Sequence, residues 1–211
     1  MPMLPLCEGT LELPSDPIAG VETWLVEAQR AGLPEPTSMN LATVTAEGRP
    51  QSRIVLLKGI TTSPAGFRGF EFFTNYQSPK SKQLLLTPYA SINFHWVAMR
   101  RQVRIDGVIE KLTAAESDRY FQSRPRESRV GAWSSPQSQV IVDRAHLERL
   151  VQESQARFGD SGPVPCPPFW GGWRLVPDRI EFWEERPFRL HERFEFCLNE
   201  AEQWTKSRLA P

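Results

Sequence analysis

The chain has 211 residues, 40% of them hydrophobic and 24% charged, an ordinary soluble composition with room for one sizeable core. Its 25 Lys and Arg balance 25 Asp and Glu, so overall charge calls for neither a nucleic acid nor a membrane as partner, and any anion must be held by local charge. The three cysteines, Cys7, Cys166 and Cys197, are odd in number, widely spaced and without a CxxC pair, which speaks against a disulfide framework or a zinc site and for reduced thiols in the cytoplasm.

Residues 1–14 contain three prolines and no clear period, and read as an N-terminal arm that could be mobile in the free protein. Residues 1–13 lack a basic start followed by a long apolar run, so no signal peptide is expected. No stretch approaches the roughly 18 apolar residues of a membrane helix. Residues 15–211 read as a single domain. Ser15-Asp16-Pro17 has the form of a helix start, with a capping side chain before a first-turn proline. Ile18, Val21, Trp24, Leu25 and Ala28 follow at helical spacing, and Gly32-Leu33-Pro34 stops the helix.

After Pro36 the texture becomes that of strands. Residues 39–45 and 52–57 flank the turn Ala46-Glu47-Gly48-Arg49 as a hairpin, and residues 70–74 make a third strand. Residues 78–86 look helical. Residues 90–97 and 102–112 read as two more strands. Thr113 with Glu116 three residues on resembles a capping box, opening a helix to about Ser123 that Arg124-Pro125-Arg126 breaks. Residues 143–158 form an amphipathic helix with Leu147, Leu150 and Val151 on one side, followed by a proline-rich loop over 159–168. Residues 170–175, 179–183, 194–198 and 204–209 read as closing strands. Strands dominate without regular strand–helix alternation, so the expected class is mainly β with accessory helices (α+β), an antiparallel barrel.

GxGxxG, P-loop, HExxH and GxSxG motifs are all missing, and with only His95, His146 and His191 a multi-histidine metal site is not expected. What stands out is cations set among apolar residues. In a strand, Arg189, His191 and Arg193 would share one face able to hold an anion, although a solvated polar face is the commoner origin of such a pattern. Arg53 and Lys58 bracket the apolar run Ile54-Val55-Leu56-Leu57 and, five apart, point to opposite faces and so to different groups, or a bulge intervenes. Taken alone, that segment is a core strand with snorkelling ends. Tyr120 and Arg124 would stack on one helix face, with Ser128 beyond the proline break where free N–H groups can help bind phosphate; an ordinary solvated helix end is the plain alternative. Ser78-Pro79-Lys80-Ser81-Lys82, after the strand ending Phe73-Thr74-Asn75, is either a phosphate cradle at a helix start or a surface turn.

Together these segments resemble the pyridoxine/pyridoxamine 5′-phosphate oxidases. The similarity runs in order from about Asp16 to Arg208-Leu209-Ala210-Pro211. It is carried by the segment from Arg53 to Lys58, Arg101-Gln102-Val103, Tyr120-Phe121-Gln122-Ser123-Arg124-Pro125-Arg126 and Gly131-Ala132-Trp133 with Gln137-Ser138. Phe169-Trp170-Gly171-Gly172, Arg179-Ile180-Glu181-Phe182-Trp183 and Arg189-Leu190-His191-Glu192-Arg193 complete it. The resemblance implies a split-barrel homodimer with FMN in clefts between subunits. It implies FMN contacts from Arg53, Ile54, Val55, Leu56, Leu57, Lys58, Phe73, Thr74, Lys80, Gln102, Gln137, Ser138, Trp183 and Arg193. It implies that Lys58, Tyr120, Arg124 and Ser128 hold the substrate phosphate and that Arg189 and His191 lie over the pyridine ring as the catalytic pair. The implied reaction oxidises pyridoxamine or pyridoxine 5′-phosphate to pyridoxal 5′-phosphate and reduces O2 to H2O2. Relatives that oxidise another ring, as in phenazine biosynthesis, and a non-catalytic FMN or pyridoxal phosphate carrier are the rival readings.

Two departures from the family pattern are visible. Pro79 stands where the family usually has Arg between Ser and Lys, removing a bidentate phosphate donor. Residues 1–13 also contain no Arg or Tyr, unlike the Arg-Arg-x-Tyr segment of many bacterial members.

Overall fold

The computed structural model describes residues 9–211, so Cys7 and most of the expected arm lie outside the described residues. The helix α1 (Pro17–Arg30) starts as its sequence requires: the Asp16 side chain accepts the Ile18 N–H at 2.9 Å. All five residues of its apolar stripe are buried, and Gly32 (φ +67°) closes it in the left-handed region that glycine adopts without strain. Leu11 is buried against this core and Leu13 packs on it, so the described end of the arm is tied down.

The strands are β1 (Ser38–Val44), β2 (Pro50–Leu56), β3 (Gly59–Thr62), β4 (Arg68–Asn75), β5 (Tyr89–Trp96), β6 (Arg101–Lys111), β7 (Trp170–Glu184), β8 (Glu192–Leu198) and β9 (Trp204–Arg208). Between them lie α2 (Pro79–Leu86), α3 (Ala114–Ser123), α4 (Arg126–Ser134) and α5 (Arg144–Phe158). Every strand pair is antiparallel, in the order β2-β1-β5-β6-β7-β4-β3, with β8 on β7 and β9 on β8. The fold is thus mainly β with accessory helices, a split barrel. The split occurs at β7. One edge pairs with β6 along its length; the other pairs first with β4, through Trp170 to Leu175, and then with β8, through Arg179 to Glu184.

The two expected strands over 170–175 and 179–183 are therefore one. Pro177 has no N–H to give a ladder, which suggests a break, but it sits at a register shift opposite Gly107, where the strand bends without ending. A Cβ on Gly107 would overlap the Val176 carbonyl oxygen. The sequence pattern announces neither the short β3 nor α4, which begins directly after the Pro125 that ends α3. The amphipathic helix α5 forms, yet none of its residues is fully buried.

The main core fills the inner face of the curled sheet with Leu41, Ile92, Phe94, Val103, Ile105, Ile180 and Phe182, closed by Trp24 of α1 edge-on to Phe182 at 5.0 Å. A second cluster of Phe121, Val130, Val164 and Trp170 lies under α3 and α4. Among the described residues no helix is long and apolar enough to cross a membrane.

The Gly107 contact is backbone against backbone and cannot be relieved by a rotamer change. Gly107→Ala should therefore destabilise the protein by about 1–3 kcal/mol, read as a lower thermal midpoint; an unchanged midpoint would show that the bulge is not a close-packed crossing.

Candidate active site

Lys80 lies in the first turn of α2 and is only 9% exposed. Its ammonium donates to Ser78 Oγ at 3.2 Å, Thr74 Oγ1 at 3.3 Å and Gln137 Oε1 at 3.4 Å, all neutral acceptors. Gln137 reaches in from the α4–α5 connection and also accepts the Thr74 hydroxyl at 2.8 Å. Arg53, on β2, donates to Thr43 Oγ1 at 2.6 Å and to the Leu41 and Gln51 carbonyls. Among the described residues neither cation has a carboxylate partner. Burial, and then the charge of Arg53, push the Lys80 ammonium below its ordinary value; burial does the same to Arg53. Two desolvated cations facing neutral oxygens form a site with an unmet need for negative charge. A phosphate monoester, with about −1.5 to −2 charge near neutral pH, fits that need.

A second cationic region adjoins it. Lys58 is exposed where the chain leaves β2, anchored by its N–H to the Glu71 carbonyl at 2.8 Å. With Phe73, Tyr120 and Arg174 it lines a cleft of about 390 Å³. Phe73 and Tyr120 stack at 3.9 Å, and Trp170 lies nearly parallel to both. Arg124, at the C-terminal cap of α3, lies outside the lining of that cleft and rests over the Trp170 ring at 4.8 Å. Its Nη1 is buried without a hydrogen-bond partner, and burial lowers its pKa. Ser128 stands half-buried in the first turn of α4, consistent with the expectation that it follows a break.

The third group is a cross-strand row. Gln102 of β6, Trp183 of β7 and Arg193 of β8 are register partners. Arg193 is partly compensated: its Nε pairs with Glu181 at 2.9 Å and its Nη1 donates to the Ala210 carbonyl at 2.9 Å. The His191 ring lies 4.7 Å from Trp183. The expectation that Arg189, His191 and Arg193 share one strand face is corrected here. Pro187 opens a 3₁₀ turn in which Phe188 (φ 59°) and Arg189 (φ 64°) are left-handed, and β8 begins only at Glu192. Arg189 is exposed on that turn. Ser138 is likewise exposed and left-handed (φ 65°). No hydrogen bond or ring contact among the described residues joins this group to Arg53 and Lys80.

One part of the site escaped sequence reasoning. Arg174, in β7, is 3% exposed and pairs with Glu71 at 2.8 Å, Glu116 at 3.0 Å and Glu110 at 3.7 Å. Its only sequence signal is a cation inside the strand Trp173-Arg174-Leu175. Glu116 also completes the α3 capping box, and the Thr113 hydroxyl, more than Arg174, holds its carboxyl below the usual range.

A model of the pyridoxamine 5′-phosphate oxidase family matches residues 25–158, and one described as the pyridoxine 5′-phosphate oxidase C-terminal dimerisation region matches residues 170–211. The chain belongs to the pyridoxamine 5′-phosphate oxidase family. Proteins named pyridoxine/pyridoxamine 5′-phosphate oxidase are 53% identical to this member, from Pseudomonas paraeruginosa over 94% of this chain and 90% of that protein, and from Burkholderia cenocepacia over 93% and 89%. The structure of PhzG from Burkholderia lata, in complex with tetrahydrophenazine-1-carboxylic acid, is 32% identical with a TM-score of 0.85, covering 94% of each chain. The fold is shared further with an FMN-binding protein of Nostoc punctiforme, 20% identical with a TM-score of 0.74, over 95% of this chain and 100% of that one. Within this family frame, the dimerisation region contains Trp183, Arg189, His191 and Arg193, whereas Arg53, Lys58, Lys80 and Arg124 lie in the first match.

Cys166 and Cys197 are free, and no cluster of possible metal ligands exists among the described residues. Burial, more than nearby Asp118, pushes the Cys166 thiol up to about 11. At pH 8 its thiolate fraction should be roughly a hundredfold below that of an ordinary cysteine. Peptide-resolved alkylation with iodoacetamide checks this: Cys166 should stay largely unmodified while an unstructured cysteine peptide reacts.

Proposed function

We propose that the protein is an FMN-dependent oxidase that converts pyridoxamine 5′-phosphate and pyridoxine 5′-phosphate to pyridoxal 5′-phosphate. The observation that carries this reading is the site of Arg53 with Lys80, short of counter-charge, beside two further cations without a carboxylate partner among the described residues, Lys58 in the Tyr120 cleft and Arg124 over the Trp170 ring. One phosphate ester at Arg53 and Lys80 leaves the further cations unused; FMN together with a phosphorylated substrate uses them all. FMN, when bound, supplies the two-electron acceptor for the substrate's exocyclic carbon and passes the electrons to O2 as H2O2, with water completing the amine's conversion to aldehyde and ammonia.

The chain's own residues bind and orient. Arg53, Lys80, Thr74 and Gln137 hold the cofactor phosphate. Ile54, Val55, Leu56 and Leu57 with Phe73, and Gln102, Ser138, Trp183 and Arg193, contact the rest of the cofactor. Lys58, Tyr120, Arg124 and Ser128 hold the substrate phosphate, and the unpaired Nη1 of Arg124 is a donor waiting for one of its oxygens. Arg189 and His191 orient the pyridine ring. Among the described residues no hydrogen bond or ring contact joins the Arg53 group to the Trp183 group, which fits a homodimer with FMN between subunits. Residues 15–211 act as one working unit in the cytoplasm. Pro79 leaves the cofactor phosphate with one guanidinium fewer than is usual in the family, so FMN affinity is lower.

A second reading, oxidation of a phenazine precursor, is favoured by the likeness to PhzG. It leaves Lys58 and Arg124 without a phosphate to hold. The deciding experiment measures peroxide release from FMN-reconstituted protein with pyridoxamine phosphate, pyridoxine phosphate and tetrahydrophenazine-1-carboxylic acid in separate assays. Release coupled to aldehyde formation with the phosphate esters is expected. Release with the phenazine acid alone would establish the second reading, and flavin that no substrate bleaches without oxygen would indicate a carrier.

Two variants separate cofactor from substrate. Lys80→Met removes a charge-assisted phosphate contact worth about 1.5–3 kcal/mol, so FMN should bind roughly 10–100-fold more weakly by fluorescence titration. Arg189→Ala should keep FMN bound and lose turnover or substrate affinity; wild-type kinetics in that variant would remove Arg189 from the site.

A further inference from the structure

Arg186 opens the turn that carries Arg189 and His191. Its backbone is extended (φ −130°, ψ 159°), and its N–H points at Nδ1 of His191, 3.2 Å away. A backbone amide can only donate, so Nδ1 must be the acceptor. In a neutral imidazole one nitrogen accepts and the other carries the hydrogen. We infer that the Arg186 backbone holds His191 as its Nε2–H tautomer, so that His191 serves the reaction as a hydrogen-bond donor to an acceptor oxygen on the substrate and not as a proton-abstracting base.

Both sides of this bond are fixed. The Arg186 guanidinium pairs with Glu184 Oε1 at 2.7 Å, with both side chains almost fully buried. The other oxygen of Glu184 accepts Nε of Arg101 at 2.7 Å. Arg101 in turn pairs with Glu27 of α1 and lies over the Trp24 ring at 4.6 Å. Next to Arg186, the Glu185 N–H donates to the Arg100 carbonyl at 2.9 Å. The stretch before the turn is thereby clamped to β6 and α1. On the far side, the imidazole leans on Trp183, and Glu192, the residue after His191, is the register partner of Glu184. The Leu190 N–H, bonded to the Pro187 carbonyl at 3.1 Å, closes the turn itself. Turning the ring over to offer Nδ1 to a substrate would forfeit the Arg186 bond.

The consequence is a division of labour at the ring end of the site. Arg189 brings permanent charge on an exposed turn, and His191 brings a neutral, directed donor. Glu184 and Arg186 are positioning residues for His191, acting through the amide they hold still.

The role of donor to a substrate rests on the oxidase reading; the tautomer does not, and the tests keep the two apart. The chain has three histidines, His95, His146 and His191. Long-range ¹H–¹⁵N correlation on ¹⁵N-histidine-labelled, FMN-loaded protein, at mildly alkaline pH where an ordinary imidazole is neutral, resolves each ring, and His191→Gln assigns the signal. A protonated Nε2 with an unprotonated, accepting Nδ1 is expected. An Nδ1–H pattern, or shifts averaged between tautomers, would overturn the inference. Kinetics give the second arm. The Gln amide of His191→Gln places an N–H near the position of Nε2, whereas that of His191→Asn reaches only to Nδ1. His191→Gln should retain at least about tenfold more kcat than His191→Asn; equal loss in both would mean a base has been removed and would overturn the donor role. The expected tautomer in a protein that oxidises neither phosphate ester would count against the oxidase reading and leave the tautomer assignment standing.

Discussion

Burying one guanidinium dictates much of this molecule. Arg174 is almost wholly removed from water, and a buried cation is tolerated only when paired and hydrogen-bonded. Its partners come from β3 (Thr61), β4 (Glu71), β6 (Glu110) and α3 (Glu116). Of these, β3, β4 and α3 also make walls of the cleft at Lys58. The Glu71 backbone anchors the Lys58 N–H, and Glu116 fixes the start of the helix that carries Tyr120 and Arg124. Removing one partner from such a network typically costs about 3–5 kcal/mol, so cleft shape and overall stability are coupled through this side chain.

Lys80 and Arg53 obey the opposite logic. Lys80 is buried and Arg53 half-buried, yet among the described residues neither has a carboxylate partner, and they repel one another. The fold thus satisfies one buried cation with three acids and leaves Lys80 and the half-buried Arg53 to neutral oxygens. Arg193 stands between these limits, half-compensated by Glu181 and held by the Ala210 carbonyl. On the proposed reading, the cations left short of negative charge are those that receive the phosphate esters.

The elements legible in the sequence were those set by local rules. Asp16 with Pro17 and the stripe from Ile18 to Ala28 define α1, and Thr113 with Glu116 defines the start of α3; both involve residues within a turn or two of one another. The β1–β2 hairpin follows from alternation about a glycine-bearing turn. What failed depended on partners far along the chain. Pro177 reads as a strand end because nothing local announces Gly107 as its crossing point. Pro125 reads as a helix terminator and is also the residue from which α4 starts. The pattern from Arg189 to Arg193 mimics alternation, while left-handed Phe188 and Arg189, neither of them glycine, give no compositional warning of a turn. Gln137 meets Thr74 across 63 residues; the family resemblance implied an FMN contact for each but not that the two meet.

The late position of β7 has a consequence for how the chain is made. β4 finds β3 at once, and β6 finds β5, but the remaining edge of each waits for the same strand, which begins 95 residues after Asn75 and 59 after Lys111. At ordinary synthesis rates the β4 edge, with Phe70 and Phe72 beside it, would stay unpaired for on the order of 5–20 s. An open edge next to large aromatic side chains is a template for the wrong partner. Nascent chains of this topology therefore face their greatest risk of association with one another before residue 170 emerges, and conditions that slow translation between α3 and β7 lengthen that exposure.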